Sequence, residues 1–426
     1  MAVNKHLRGR PGLLAWPIFA LLLVVAPLVF TSSLGHTLIS QMGIAIIVCL
    51  SYNILLGQGG MLSFGHAVYS GMGSFVAIHS LNLAATDLPL PVSLIPLLGG
   101  VGSLVLALVL GWVTTRRSGT SFAMITLGVG ELVWATSLLF PGFFGGEGGV
   151  SGNRVAGAQP FGLTYGPQIQ VYYLIAVYTF VCSALMFAFT RTPLGRMLNA
   201  VRDNPQRAGF VGYDARKVRY LAFAIAAFFA GIAGGLAALN FEIVTSEVLN
   251  GYRSGAYLLF TFLGGTTFFV GPVIGAVLMV LANVVLSEWT RAWLLYLGLL
   301  FMFMVMLAPG GIASLVMLNL RLASLGRMRP LLGLYLGMAV SLLPVLAGAA
   351  CMVEMLYHLQ LDAALGNRLV FMGLTLDTRD GASWWSCALL VLVGLGLFEP
   401  LRRRFLHRWA ASCDCIENES RRREAP

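Results

Sequence analysis

Twelve runs of about 20 mainly apolar residues, each the length of a bilayer crossing, constrain this chain more than any other feature. They lie near residues 13–31, 37–56, 61–82, 92–114, 121–140, 170–190, 218–240, 253–269, 272–287, 292–308, 331–353 and 383–401. A backbone in hydrocarbon must satisfy its own hydrogen bonds, so runs of this length are helices. The expected fold is therefore all-α, a polytopic transmembrane helical bundle. Charge agrees: 10% of the 426 residues are charged, against about 25% in soluble domains, and mean hydropathy is +0.83.

The basic residues test this span list. With the N-terminus inside and sides alternating, 22 of the 27 Lys and Arg residues fall on the cytoplasmic side. They include Lys5, Arg8, Arg10, Arg116, Arg117, the stretch from Arg191 to Arg219, Arg321, Arg327, Arg329 and the basic run after Glu399. Arg154, Arg253, Arg291, Arg368 and Arg379 fall outside. Short translocated loops disfavour Lys and Arg, so the split supports twelve spans with both termini inside. The N-terminal run resembles a signal peptide, but it is long for one and no small-x-small site follows, so it reads as a retained first span. Residues 141–169 and 354–382 become outer loops. The joints at Gly57–Gly60 and Val270–Gly271 are tight enough that 253–269 and 272–287 read either as two spans or as one broken, re-entrant element.

Several chemistries lack their residues. No phosphate loop of the G-x-x-x-x-G-K-[ST] type occurs, and the lysines stand only at 5 and 217, so the chain has no such route to ATP hydrolysis. No zinc-protease or nucleophile-elbow motif occurs. Cys413 and Cys415 supply two ligands where a structural zinc usually takes four. No metal or disulfide framework is expected. The net charge of +10 follows from topology and not from nucleic-acid binding.

Four constellations remain. Gly57 to Gly73 packs six glycines, Ser63 and Ser70 around His66; small residues let helices approach closely, and Gly-interrupted apolar segments also mark transport paths. An ionisable residue in a span is a functional hypothesis by default, for His66 and for Glu131 in the fifth run, while burial as a hydrogen-bonded neutral group is the structural alternative. Gly264 to Gly275 is a second Gly-broken segment. Between Arg191 and Lys217, Pro193 can open a short helix to about Asn204, and a second can run from Pro205 to Val211 and stop at Gly212. Met197, Leu198 and Val201 make an apolar stripe there, suited to a partner's groove or to lipid. The basic run after Glu399 suits anionic headgroups.

Together these segments resemble the branched-chain amino acid ABC transporter permeases of the LivM type. The resemblance rests on Gly57–Gly73, the outer Gly145–Gly152 loop, Arg191–Gly212 leading into Tyr220–Leu236, and Leu263–Ala276, which occur in the family's order and cover roughly residues 13 to 316. It implies a permease core over 1–316; the chain departs from the family in adding a two-span extension over 317–410 and a polar cytoplasmic tail over 411–426. The implied partners are a LivH-type second permease subunit, two cytoplasmic ATPase subunits holding ATP and magnesium, a periplasmic solute-binding protein and membrane lipid. The implied location is the bacterial inner membrane. Arg196, Ala200, Asn204, Pro205 and Gly212 would then face the ATPase, and Ser63, His66 and Glu131 would lie near the path.

The expectation is thus a non-enzymatic subunit of an ABC importer for branched-chain or related amino acids, with no cofactor of its own. Related permeases carry urea, short amides or aromatic acids. Two rival classes are a secondary transporter driven by protons through His66 and Glu131 and a membrane scaffold.

Overall fold

The computed structural model describes residues 11–424 apart from 87–89, 156–163, 309, 325–328, 362–367 and 372–373. Lys5, Arg8, Arg10 and Arg327 lie outside the described residues. Each expected apolar run overlaps a helix, though residues 61–65 and 265–269 lie outside one. The first half contains α1 (Pro11–Val29), α2 (Ser33–Asn53), α3 (His66–Thr86), α4 (Ile95–Thr114), α5 (Thr120–Leu139), the short α6 (Pro141–Phe144) and α7 (Gln168–Arg191). Next come α8 (Pro193–Asp203), α9 (Pro205–Phe210), α10 (Ala215–Phe241), α11 (Gly251–Gly264), α12 (Gly271–Leu281) and α13 (Ser287–Trp289). The remainder is α14 (Trp293–Leu307), α15 (Gly311–Ser324), α16 (Arg329–Leu361) and α17 (Gly381–Glu424).

Among the described residues, 8 helices are long and apolar enough to cross a membrane, or up to 9 if Trp293–Met306 and Gly311–Leu320 form one bent span. The chain is a polytopic α-helical membrane protein. α3 is not among the eight: His66, Ser70, Ser74, His79 and Asn82 dilute it, and it is sheltered by other helices instead.

The chain forms two compact units. The first comprises Met1–Leu281 with Met304–Ala313. At its centre α10 packs on α4, α3 and α2, and α2 packs on α7, α11 and α12. Backbone contact between glycines brings α3, α4 and α10 together. A Cβ on Gly73 would lie 2.5 Å from Cα of Gly231, and one on Gly99 would lie 2.6 Å from the Gly73 carbonyl oxygen. Serine hydroxyls fasten the same seams, Ser74 donating to the Gly234 carbonyl at 2.8 Å and Ser103 to that of Tyr69 at 2.6 Å. For Gly65, Gly71 and Gly73 the packing role is therefore realised.

The second unit comprises Ala282–Phe303 with Ser314–Pro426. α16 and α17 pack against each other, closing at Gly348 and Gly394. Between them β3 (Arg368–Phe371) pairs antiparallel with β4 (Leu374–Asp377). Buried Glu354 accepts from the Thr290 hydroxyl and, at 3.4 Å, from Tyr296.

Four expectations need correction. The third helix begins at His66, not 61, because Gly60 takes φ +62° and breaks the chain. Residues 311–324, expected as a connection, form α15, whose apolar positions are interrupted by Asn319 and Arg321. The segment 354–382, expected as an outer loop, is not all loop, since α16 continues to Leu361 and the β3–β4 hairpin follows. The polar residues after 410 extend α17 through Glu424, carried by its good helix formers. The segment 141–169, expected outside, holds α6 and β1 (Val150–Ser151), which pairs antiparallel with β2 (Ile243–Val244).

Candidate functional site

α2 does not end at Asn53. It widens into a π-helical turn over Ile54–Gln58, and the chain then runs irregularly to His66. Irregular backbone at this depth needs partners for its polar groups, and three helices supply them. Tyr52 on α2 donates its hydroxyl to the Ser63 carbonyl at 2.7 Å and accepts from the Ser63 N–H at 3.2 Å. The Phe64 N–H donates to Thr126 Oγ1 of α5 at 3.1 Å, and the Ala67 N–H, at the open end of α3, donates to Ser254 Oγ of α11 at 2.9 Å.

His66 is fully buried at the first position of α3. Its Nε2 lies 2.9 Å from Ser51 Oγ, and Ser51 commits its own proton to the Val48 carbonyl at 2.7 Å. Nε2 is therefore the donor, and among the described residues Nδ1 has no partner. The Tyr52 ring meets the imidazole edge-on, with centroids 5.1 Å apart. Ser63 Oγ and Asn53 Oδ1 are likewise buried without a partner. Buried polar atoms without partners call for an explanation, and these three lie on residues at or beside the helix break.

Glu131 follows Gly130 on α5, where an added Cβ would lie 3.4 Å from Gly65 Cα. It is exposed on α5, and its Oε1 lies 2.7 Å from where a Cβ on Gly251 would stand. Among the described residues no hydrogen bond or ion pair links it to His66.

The second Gly-broken segment is a helical hairpin. α11 ends at Gly265 with φ +108°, α12 starts at Gly271, and the two helices pack together. A Cβ on Gly264 would lie 2.7 Å from the Gly275 nitrogen, so the hairpin closes only without side chains there. The two breaks meet: a Cβ on Gly57 would lie 2.7 Å from the Thr266 carbonyl oxygen.

α8 is strongly amphipathic and rests on the first break. Gly195, Leu198 and Val201 are buried. Asn199 Nδ2 donates to Gln58 Oε1 at 2.7 Å, and the Arg202 guanidinium donates to the Gly57 carbonyl. Thr192 caps α8 through the Gly195 N–H at 3.2 Å, and Asn204 caps α9 through the Arg207 N–H at 2.9 Å. Gly212 ends the segment at φ +91°. Arg196, Ala200, Asn204, Pro205 and Gly212 all lie on the exposed side, with Phe210 91% exposed beside them.

The sequence reading missed the inner face of this segment, because Asn199 and Arg202 act on residues more than 140 positions away. It also missed Arg154. That guanidinium donates to the carbonyls of Leu239 at 3.2 Å, Asn240 at 3.3 Å and Gly166 at 3.1 Å, tying the loop to the end of α10. A lone arginine in a segment expected outside was the available signal.

Comparison with known proteins agrees with this architecture. The family model described as "Branched-chain amino acid transport system / permease component" matches residues 35–309. The high-affinity branched-chain amino acid transport system permease protein LivM of Salmonella typhimurium is 28% identical over 333 residues, 72% of this chain and 76% of the relative. Its counterpart of the same name in Escherichia coli is 27% identical over 331 residues, with the same coverage. No solved structure matches significantly. With most of its length matched by that model, the chain belongs to the family of branched-chain amino acid transport system permease components.

Proposed function

We propose that this chain is one permease half of an ABC importer for branched-chain or related amino acids. The observation that carries the reading is α8: one face seated on the Gly57–Gly60 break, the other presenting Arg196, Ala200, Asn204, Pro205 and Gly212 to a partner. An ATPase subunit held on that outer face moves α8, and α8 moves the break beside Ser63 and His66. Rocking of packed helices then alternates access. Glu131, exposed on an apolar helix, faces the second permease half. ATP and magnesium belong to two cytoplasmic ATPase subunits, a periplasmic binding protein delivers solute, and the names of the relatives supply the solute class.

In this reading both termini are cytoplasmic and the protein sits in a bacterial inner membrane. Residues 1–316 are the permease core, 317–410 a two-span extension and 411–426 a polar tail. Support for the orientation comes from charge: with the N-terminus inside and sides alternating, 22 of the 27 Lys and Arg residues fall on the cytoplasmic side.

The test is reconstitution with the second permease, the ATPases and the binding protein. Reversing charge at Arg196 together with Asn204→Ala should abolish solute-stimulated ATP hydrolysis while the protein still inserts. Uptake that persists without ATPase subunits and collapses with a protonophore would instead establish the proton-driven class.

A further inference from the structure

The cytoplasmic ends of α4 and α10 hold a cavity of about 230 Å³ lined by Trp112, Thr115, Arg116, Arg216, Lys217 and Tyr220. Its construction is local. Gly111 has no side chain, so α10 closes on α4: a Cβ there would lie 2.8 Å from the Phe223 ring and 3.5 Å from that of Tyr220. The Tyr220 hydroxyl donates to the Leu108 carbonyl at 2.8 Å, fixing the wall. The turn after α4 is held by Thr115 Oγ1 donating to the Gly111 carbonyl at 2.7 Å. This closure sets Arg116 opposite Arg216 and Lys217 in the first turn of α10. The Arg116 guanidinium carbon stands 3.6 Å from the centroid of the Trp112 ring, which orients it.

Among the described residues none of the three cations is in an ion pair. Asp214, the nearest acid along α10, is engaged with the main-chain N–H of Arg216 at 2.9 Å. Three exposed cations around one cavity raise the local positive potential and suit an anion. Beside them an apolar strip is open: Val109 is 64% exposed, Trp112 59% and Val113 53%, on one face of α4. Leu221 continues it on α10. Cations at the mouth, an indole beside them and bare aliphatic surface leading away match a ligand with a phosphate head and acyl tails. We infer that this cavity binds the phosphate headgroup of an anionic phospholipid, its chains lying along α4 and α10. The open apolar strip favours a lipid over an acidic protein surface, which would need no such strip.

Native mass spectrometry of the full chain, released from detergent after exposure to phosphatidylglycerol or phosphatidylcholine, tests this. The wild type should retain phosphatidylglycerol selectively. Each cation-to-glutamine change should weaken retention roughly fivefold, and R116Q/R216Q/K217Q together on the order of 100-fold. Arg116→Lys and Arg216→Lys should preserve it. If the triple variant fails to fold, the single variants R116Q and K217Q carry the same test. Equal retention by wild type and charge variants overturns the proposal. So does complete displacement of the lipid by inorganic phosphate, which would make free phosphate the ligand. Absence of lipid on the wild type, with loss of ATPase-subunit association in the variants, would assign the cavity to protein docking and overturn it as well.

Discussion

The Arg202 guanidinium donates to the main-chain carbonyl of Gly57, joining an exposed amphipathic helix to the turn where α2 comes apart. A π-helical turn leaves carbonyls without their usual partners, and a long cationic side chain reaching from α8 takes one of them. Gly60 makes room, since a Cβ there would stand 2.7 Å from Arg202 Cγ. Arg202 is half-exposed and also pairs with Asp203 at 3.0 Å, so the static worth of the contact is modest, about 1 kcal/mol. Its effect should appear in transmission. Arg202→Ala is expected to leave insertion and basal ATP hydrolysis of the assembled complex intact while lowering solute moved per ATP. Arg202→Lys should recover part of it. An unchanged ratio in the alanine variant would remove the contact from the coupling path.

The helices and the α8–α9 segment were legible in the sequence because their signals are local. Apolar runs of bilayer length, Pro193 and Pro205 opening helices and Gly212 as a stop all act within a few residues. The Arg202–Gly57 and Asn199–Gln58 contacts were not legible, since nothing near Arg202 names its partner. The same holds for Ser51 beneath His66 and for Arg154 over the end of α10. α15 was missed because its apolar face is shorter than a span and broken by polar residues.

Glycine positions separate packing from tolerance. Gly73 meets the backbone of Gly231, and backbone cannot swing aside, so Gly73→Ala should cost about 1–3 kcal/mol through overpacking. Gly128 on α5 has nothing within 4 Å of an added Cβ, so Gly128→Ala should be neutral or slightly stabilising through helix propensity. Thermal unfolding midpoints of the two variants in the same detergent should fall on opposite sides of, or at, the parent value. A lower midpoint for Gly128→Ala than for Gly73→Ala would contradict the seam described here.

Arg154 should matter out of proportion to its loop position. Its guanidinium meets three main-chain carbonyls and lies 3.9 Å from Glu242, with its side chain only 11% exposed. Removing it leaves buried acceptors without a donor, a loss of about 2–4 kcal/mol. Arg154→Ala should therefore speed proteolytic cleavage within 141–169 and lower the unfolding midpoint, and Arg154→Lys should repair this poorly because an ammonium lacks the planar fork.

His66 offers the sharpest separation of fold from path. Its Nε2 contact to Ser51 is structural, whereas Nδ1 faces no protein partner. Ser51→Ala leaves the imidazole donor buried and unpaired, which should cost about 1–3 kcal/mol of stability. In that variant the Nδ1 side is untouched, so transport by the surviving folded protein should persist. His66→Phe removes both ring nitrogens while keeping an aromatic ring edge-on to Tyr52. If Nδ1 contacts the solute, the phenylalanine variant should insert and fold yet lose uptake, with ATP hydrolysis no longer stimulated by loaded binding protein. Uptake at the parental level in a folded His66→Phe variant would make His66 a packing residue only, and the solute contacts would then have to come from other atoms around the break.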